Sequence, residues 1–362
     1  MPSPRLSSSV AVVASLGVLL LTACSADAGG IGGPTTSAPA TRTSVPAGWT
    51  EDEVTFPSAS GTIHASYLHP SSGGPRGPAA LLIAGSGQTD RNGDSATTGG
   101  TFGTLRALAG MLAAAGVPSL RYDKLGTGAT GRGSVTDLST VGVGTFSDEA
   151  GAALGYLAGR PDADPARLVV IGHSEGSLFA QLLATGGVPG APTVHAVALL
   201  EPLSHRFLDV VTAQITGQVA TARSAGQMTA EQGDQFLGLL ASAVRAVRAG
   251  QPVPSLPPEL APLFLPQNTR YLREIDATDP VVLGGQTPAG MPVLVTGSDA
   301  DIQVPIADAQ ALAAAIPGST FLAQHGVSHV LKVDPSTTIA HYGDDLPYSP
   351  ELTAALATFV GR

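Results

Sequence analysis

The segment that most restricts the fold is Arg167-Leu168-Val169-Val170-Ile171, a short apolar run that leads directly into Gly172-His173-Ser174-Glu175-Gly176. An apolar run of this length reads as a strand buried on both faces, and such a strand needs a parallel sheet covered by helices. Leu178 to Ala184 then continues as a helix-compatible run, so the five residues between must make a sharp strand-to-helix turn. Glycines at both flanks leave space for a strained backbone at the centre, where the serine sits.

The rest of the chain repeats this alternation. Glu53 to Phe56 and Ile63 to Leu68 alternate with period two around the turn Pro57 to Thr62, which predicts an opening hairpin. Ala79 to Ala84 is another buried-strand run and delivers Gly85-Ser86-Gly87-Gln88. A helix over Leu105 to Ala115 and a strand over Ser119 to Tyr122 follow. Next comes a helix over Phe146 to Leu157, with Ser147 as N-cap and Asp148 and Glu149 in its first turn. After the strand Ala196 to Leu200, strand signals stop: from about residue 203 to 290, amphipathic stretches give way to the proline-rich Gln251 to Pro266. This reads as a helical insertion. Strands resume at Pro292 to Thr296 and Thr320 to Ala323, and a last helix spans Pro350 to Val360. The expected fold class is α/β: a mostly parallel, doubly wound sheet with an N-terminal antiparallel hairpin and a helical insertion.

Two segments precede this domain, which covers residues 51–362. Residues 1–23 have the form of an export signal, with Arg5, the apolar stretch Val10 to Leu21, and Leu21-Thr22-Ala23 before Cys24. The stretch is short for a bilayer span. Cys24 is the only cysteine, so no disulfide can form within the chain. Its placement resembles the bacterial lipoprotein signal, which implies lipidation at Cys24 and anchoring to the outer face of the cell membrane. An ordinary secretory signal with an incidental cysteine is the alternative. Residues 24–50, rich in Gly, Pro, Ser, Thr and Ala, read as a solvated linker. The net charge of −10 and the lack of any basic run argue against a nucleic-acid partner.

A chain with 45 glycines contains the pattern GxSxG about 0.5 times by composition alone, so the pattern decides nothing by itself. The strand before it and the helix after it give it weight, because together they make Ser174 a candidate nucleophile. A serine hydroxyl needs a base to take its proton and a carboxylate to orient that base. His329 is the candidate base, on the loop Gly326-Val327-Ser328 after the last strand; His325 lies nearer the strand end and suits a structural or substrate-facing role. Asp301 is the candidate acid and Asp299 the alternative, both just beyond the strand that ends near Thr296. The amide of Glu175, together with that of Ser86 or Gln88, would form an oxyanion hole.

Other motifs carry less. Asp90-Arg91-Asn92-Gly93-Asp94 lacks calcium-loop spacing and reads as a turn at the rim of the site. Gly126 to Gly131 lacks the Lys-Ser/Thr ending of a phosphate loop. No cluster suggests a metal, and no cofactor is called for.

Four segments in order resemble the bacterial α/β-hydrolases grouped with the serine aminopeptidase-like hydrolases, in particular EstD-type carboxylesterases. They are Ile83 to Gly93, Arg121-Tyr122-Asp123-Lys124-Leu125-Gly126, Gly172 to Gly176, and Asp301-Ile302-Gln303-Val304 with Ser328-His329-Val330-Leu331-Lys332. The resemblance covers about Glu51 to the C-terminus. It implies Ser174 as nucleophile, Asp301 as acid, His329 as base, and the insertion as a cap. Two departures stand out: the Gly297 to Asp301 interval is one residue longer than usual, which keeps Asp299 in play, and Leu125 stands where relatives commonly have Arg.

The leading expectation is a serine hydrolase that cleaves a small-molecule acyl ester through an acyl-enzyme, with an apolar insertion favouring an apolar acyl chain. An aminopeptidase, amidase or thioesterase would use the same three residues. An aminopeptidase would also want a carboxylate for the substrate's amino group, for which Glu201, Glu231 and Glu259 are available. A different class is a lipoprotein binding module that keeps the fold without catalysis.

Overall fold

The computed structural model describes residues 45–95 and 100–361. The signal, Cys24 and most of the linker lie outside the described residues. Eight strands form one sheet: β1 (Trp49–Ser58), β2 (Gly61–Pro70), β3 (Gly77–Ile83), β4 (Ser119–Tyr122), β5 (Ala163–His173), β6 (Ala196–Leu200), β7 (Val293–Ser298) and β8 (Thr320–Gln324). Their order is β1-β2-β4-β3-β5-β6-β7-β8. β1 pairs antiparallel with β2, and β2 with β4; every later pair is parallel.

Parallel neighbours need crossover helices, and these cover both faces. Along β3 and β5, Leu81 and Val170 belong to one core cluster and Leu82 and Ile171 to the other, as the two-residue period of a strand requires. The first cluster packs under α2 (Val143–Ala158) and α3 (Gly176–Ala184), the second under α1 (Thr104–Ala114) and α9 (Pro350–Val360). α8 (Ile306–Ala315) packs on β7.

The insertion holds α4 (Phe207–Ser224), α5 (Ala230–Arg248), α6 (Thr269–Ala277) and the short α7 (Pro280–Gly284). Asp276 on α6 ties it together. This buried carboxylate accepts the Leu208 amide at 2.9 Å and the Arg248 Nε at 2.8 Å, and lies 3.1 Å from an Arg206 guanidinium nitrogen. The insertion's apolar residues, including Phe207, Leu208, Leu240 and Phe264, join the same core cluster as Phe146 of α2 and Phe179 of α3. No described helix is long and apolar enough to cross a membrane.

One helix start differs from expectation. α2 begins at Val143, not Phe146, so Ser147 is an interior, buried residue rather than the N-cap. Gly142 is the N-cap: its amide donates to the Thr145 hydroxyl, and the next amide, of Val143, donates to Glu274 of α6 at 2.8 Å. A carboxylate remote in sequence thus does the work expected of Asp148 and Glu149.

Glu149 instead turns inward. Its carboxylate accepts the Ser60 hydroxyl at 2.5 Å and the Leu125 amide at 3.0 Å, and burial pushes its pKa up to about 7. A carboxyl with a raised native pKa favours the fold most below its unfolded value, near 4.5, and loses that contribution as pH rises through about 7. Gln fits the same two partners, with its oxygen toward Leu125 and its amide toward Ser60. Glu149→Gln is therefore expected to flatten the fall in thermal stability between about pH 5 and pH 8, gaining roughly 2–3 kcal/mol at the alkaline end. Melting curves across that range measure it.

Candidate active site

β5 carries Ser174 to the carboxyl edge of the sheet. Ser174 has φ 53°, in the left-handed region, and its amide donates to the Leu200 carbonyl at the end of β6 at 2.8 Å. The turn is possible only with its glycines: a Cβ on Gly172 would overlap the Gly176 carbonyl, and one on Gly176 would overlap the carbonyls of Ile83 and Ala84. Strain collects around this edge. Glu201, just past β6, has φ 49°, and Leu331, two residues after His329, has φ 66°.

His329 and Asp301 meet from the loops after β8 and β7. The imidazole Nδ1 lies 2.7 Å from Asp301 Oδ2, and both side chains are buried. Asp301 Oδ1 accepts the amides of Gln303 at 2.7 Å and Val304 at 3.0 Å, which fixes the carboxylate. With an acceptor at Nδ1, that nitrogen carries the proton and Nε2 keeps its lone pair. Ser174 and His329 line one cleft.

Asp299 takes a different partner. It lies 2.8 Å from His325 Nδ1 and accepts the Gly326 amide at 2.8 Å, at the surface. The Gly326 amide and then His325 lower the Asp299 pKa, and Asp299 raises that of His325. Neither residue lines the cleft, so His325 has a structural contact and no substrate-facing one among the described residues.

His173 is a supporting residue that sequence reasoning missed. Its Nε2 donates to the His329 carbonyl at 2.8 Å, and the two rings sit 4.9 Å apart. Burial, and then the neighbouring His329, push its pKa down to about 3, so it stays neutral and keeps the donor proton. A histidine directly before the serine is a weak signal, since the partner is a backbone atom 156 residues away.

The amides of Glu175, Ser86 and Gln88 donate to no protein acceptor among the described residues. Ser86 and Gln88 line the cleft with Thr89, Phe102, Gln303 and Val330, around a cavity of about 60 Å³. Asp90 and Arg91 brace this loop from behind rather than forming its rim. Asp90 accepts the amides of Asn92 and Asp94, and Arg91 sits between Glu53 at 2.6 Å and Asp123 at 3.6 Å.

The insertion stays out of the described cleft. None of the described lining residues comes from 203–290, because the insertion's apolar side chains are used in packing over α2 and α3. No acidic side chain lines the described cleft either. Glu201 is buried at the end of β6, where it accepts the Ser298 amide at 3.1 Å and the Gln324 amide group at 3.0 Å. Burial, and then Asp301 nearby, hold its pKa well above the usual carboxylate range. Glu231 lies in the first turn of α5, exposed, and Glu259 in the proline-rich segment.

Strand order, the strained serine after β5 and helices on both faces define an α/β-hydrolase fold, and solved structures agree. The α/β hydrolase GrgF from Penicillium sp. sh18 superposes with a TM-score of 0.54 at 15% identity, covering 86% of this chain and 98% of that one. Est1E from Butyrivibrio proteoclasticus, solved with ferulic acid bound, gives 0.52 at 16% identity, covering 84% and 97%. A thermostable esterase from Pseudomonas putida ECU1011 gives 0.50 at 16% identity, covering 87% and 82%. No family model matches the chain, and no curated protein matches it in sequence.

Proposed function

We propose that the chain is an exported serine hydrolase that cleaves small carboxylic esters through an acyl-enzyme, with Ser174 as nucleophile, His329 as general base and Asp301 as its orienting acid. The observation that carries this reading is the strained Ser174 sharing a cleft with a histidine whose far nitrogen is held by a buried carboxylate. Ser174 Oγ attacks the ester carbonyl as His329 Nε2 takes its proton. The Glu175 amide and a partner from Ser86 or Gln88 then receive the oxyanion, and the proton passes from His329 to the leaving alcohol. Water, activated by the same imidazole, releases the acid. The Pseudomonas putida structure is named as an esterase, which supports the choice of ester within the fold.

The cleft favours a short acyl group. A cavity of about 60 Å³ is far smaller than the roughly 300–1,000 Å³ of sites that enclose drug-sized ligands. Without an acidic side chain in the described cleft, a substrate ammonium finds no counter-charge there, and an ester therefore fits better than an aminoacyl amide. Lipidation at Cys24 and the linker that follows would hold the domain at the outer face of the membrane. The mature protein is expected to hydrolyse nitrophenyl acetate and butyrate faster than the octanoate, and to leave aminoacyl nitroanilides intact. Faster cleavage of the anilides would move the protein to the peptidases, and inertness of the folded protein to all of them would favour a binding module.

A further inference from the structure

The side chain of Glu175, the residue after Ser174, does not line the described cleft. It is buried beneath α6, where its Oε1 accepts the Tyr271 hydroxyl at 2.7 Å and its Oε2 lies 3.7 Å from Lys124 Nζ. The same ammonium donates to the Gly85 carbonyl at 2.5 Å. We propose that Lys124, Glu175 and Tyr271 are positioning residues that set both amide arms of the oxyanion hole and tie that setting to the helical insertion. This rests on the hydrolase reading above.

Peptide geometry supplies the link. In a planar trans peptide the C=O and the following N–H point in opposite directions, so a donor that fixes the Gly85 carbonyl also fixes the direction of the Ser86 amide. That amide has no protein acceptor among the described residues, and Ser86 lines the cleft. Lys124 therefore reaches the first arm through its peptide plane and the second through the side chain of the residue that carries it. Asp123, the preceding residue, grips the other end of the same loop by accepting the Arg91 amide at 2.8 Å. One short loop after β4 thus clamps the segment 85–91 at both ends. It selects Ser86 over Gln88 as the second donor, since the Gly85–Ser86 peptide is the one held.

A buried ion pair is a costly way to fill space, since desolvation offsets most of its attraction and an apolar pair of the same volume serves stability as well or better. Here the charge has a directional use. The ammonium withdraws electron density from the Gly85 carbonyl and so strengthens the Ser86 amide as a donor at the moment negative charge forms. Tyr271 holds the carboxylate from the insertion side, and Phe146 holds the Tyr271 ring edge-on at 5.1 Å. The insertion contributes nothing to the described cleft wall, yet through Tyr271 it bears on the groups that hold the transition state.

The mature wild-type protein and the variants Lys124→Met, Lys124→Arg, Glu175→Gln and Tyr271→Phe are compared on nitrophenyl acetate, with folded fraction measured by circular dichroism. Affinity for a trifluoromethyl ketone, which binds as a tetrahedral adduct, is measured alongside. Lys124→Met is expected to lower kcat about 100-fold with KM within about twofold, and to weaken the ketone in the same proportion. Lys124→Arg recovers at least tenfold of the loss, and Tyr271→Phe costs about tenfold. Adding Tyr271→Phe to Lys124→Met costs little more, as members of one chain should. Glu175→Gln keeps the Tyr271 contact and the volume, so it reads the charge alone should Lys124→Met fail to fold. A full kcat per folded molecule in Lys124→Met or Glu175→Gln, with only thermal stability lost, overturns the proposal and leaves the hydrolase reading intact. A wild-type protein inert to esters and unlabelled at Ser174 overturns both.

Discussion

Ser174→Ala is expected to lower ester turnover by roughly 10⁴- to 10⁶-fold with the fold intact, because the nucleophile is removed while binding and the oxyanion donors remain. Ser174→Gly should be equally inert and more stable. Ser174 is a non-glycine residue held at φ 53°, where an L side chain costs about 1–2 kcal/mol. Glycine escapes that cost but loses more backbone entropy on folding, which leaves a net gain of up to about 1 kcal/mol. In a domain of this size that corresponds to an upward shift of about 1–3 °C in Tm. The paired result, activity lost in both variants and stability raised only in the second, distinguishes strain kept for chemistry from a turn that merely packs. If Ser174→Ala kept more than about a tenth of the activity, the serine would not be the nucleophile.

Asp301→Asn is expected to cost about 10⁴-fold in kcat, and Asp299→Asn less than about twofold. Asparagine in place of Asp301 can keep its oxygen on the amides of Gln303 and Val304 and turn its NH₂ to the ring, which must then accept at Nδ1. His329 would then take its proton on Nε2, where Ser174 needs a lone pair. Asp299 faces the exposed His325, a surface pair that solvent screens and that takes no part in the cleft. Steady-state kinetics on the two asparagine variants, each checked for its melting temperature, gives the comparison. The reverse ranking would make Asp299 the functional acid.

Those two aspartates show where sequence reasoning stops. Strands β4 and β6 and helix α9 are found at the boundaries expected, because buried parallel strands are short continuous apolar runs and α9 has Ser349 as N-cap with Pro350 at its first position. The Ser174 turn was legible for the same reason, since it needs only strand, glycines and helix in line. Choosing between Asp299 and Asp301 needs register. β7 and β8 pair Gly297 with Ala323 and Ser298 with Gln324, so the next step sets Asp299 beside His325 and leaves Asp301 to curl back toward His329. No local spacing encodes that pairing.

The start of α2 was hidden similarly. Ser147 followed by Asp148 and Glu149 has the composition of a helix beginning, but Glu274, 131 residues away, meets the Val143 amide and moves the start forward by a turn. Glu149 is then free to be buried against Ser60 and Leu125. The support of the site by His173, Lys124 and Tyr271 runs through backbone carbonyls and a single carboxylate, and a sequence shows none of these contacts. The insertion reads as helical from the sequence, yet its apolar residues pack with α2 and α3 and do not line the described cleft, because apolar composition does not distinguish a core from a pocket wall.

As the proposed nucleophile, Ser174 should react with an active-site-directed phosphonate only in the folded protein. Treating the mature protein with a fluorophosphonate and mapping the adduct by peptide mass spectrometry tests it most directly. One adduct is predicted, on the peptide that contains Ser174, abolished by Ser174→Ala and by prior denaturation. A folded protein that gains no adduct, or that is modified at another residue with Ser174 untouched, means that Ser174 is not the nucleophile.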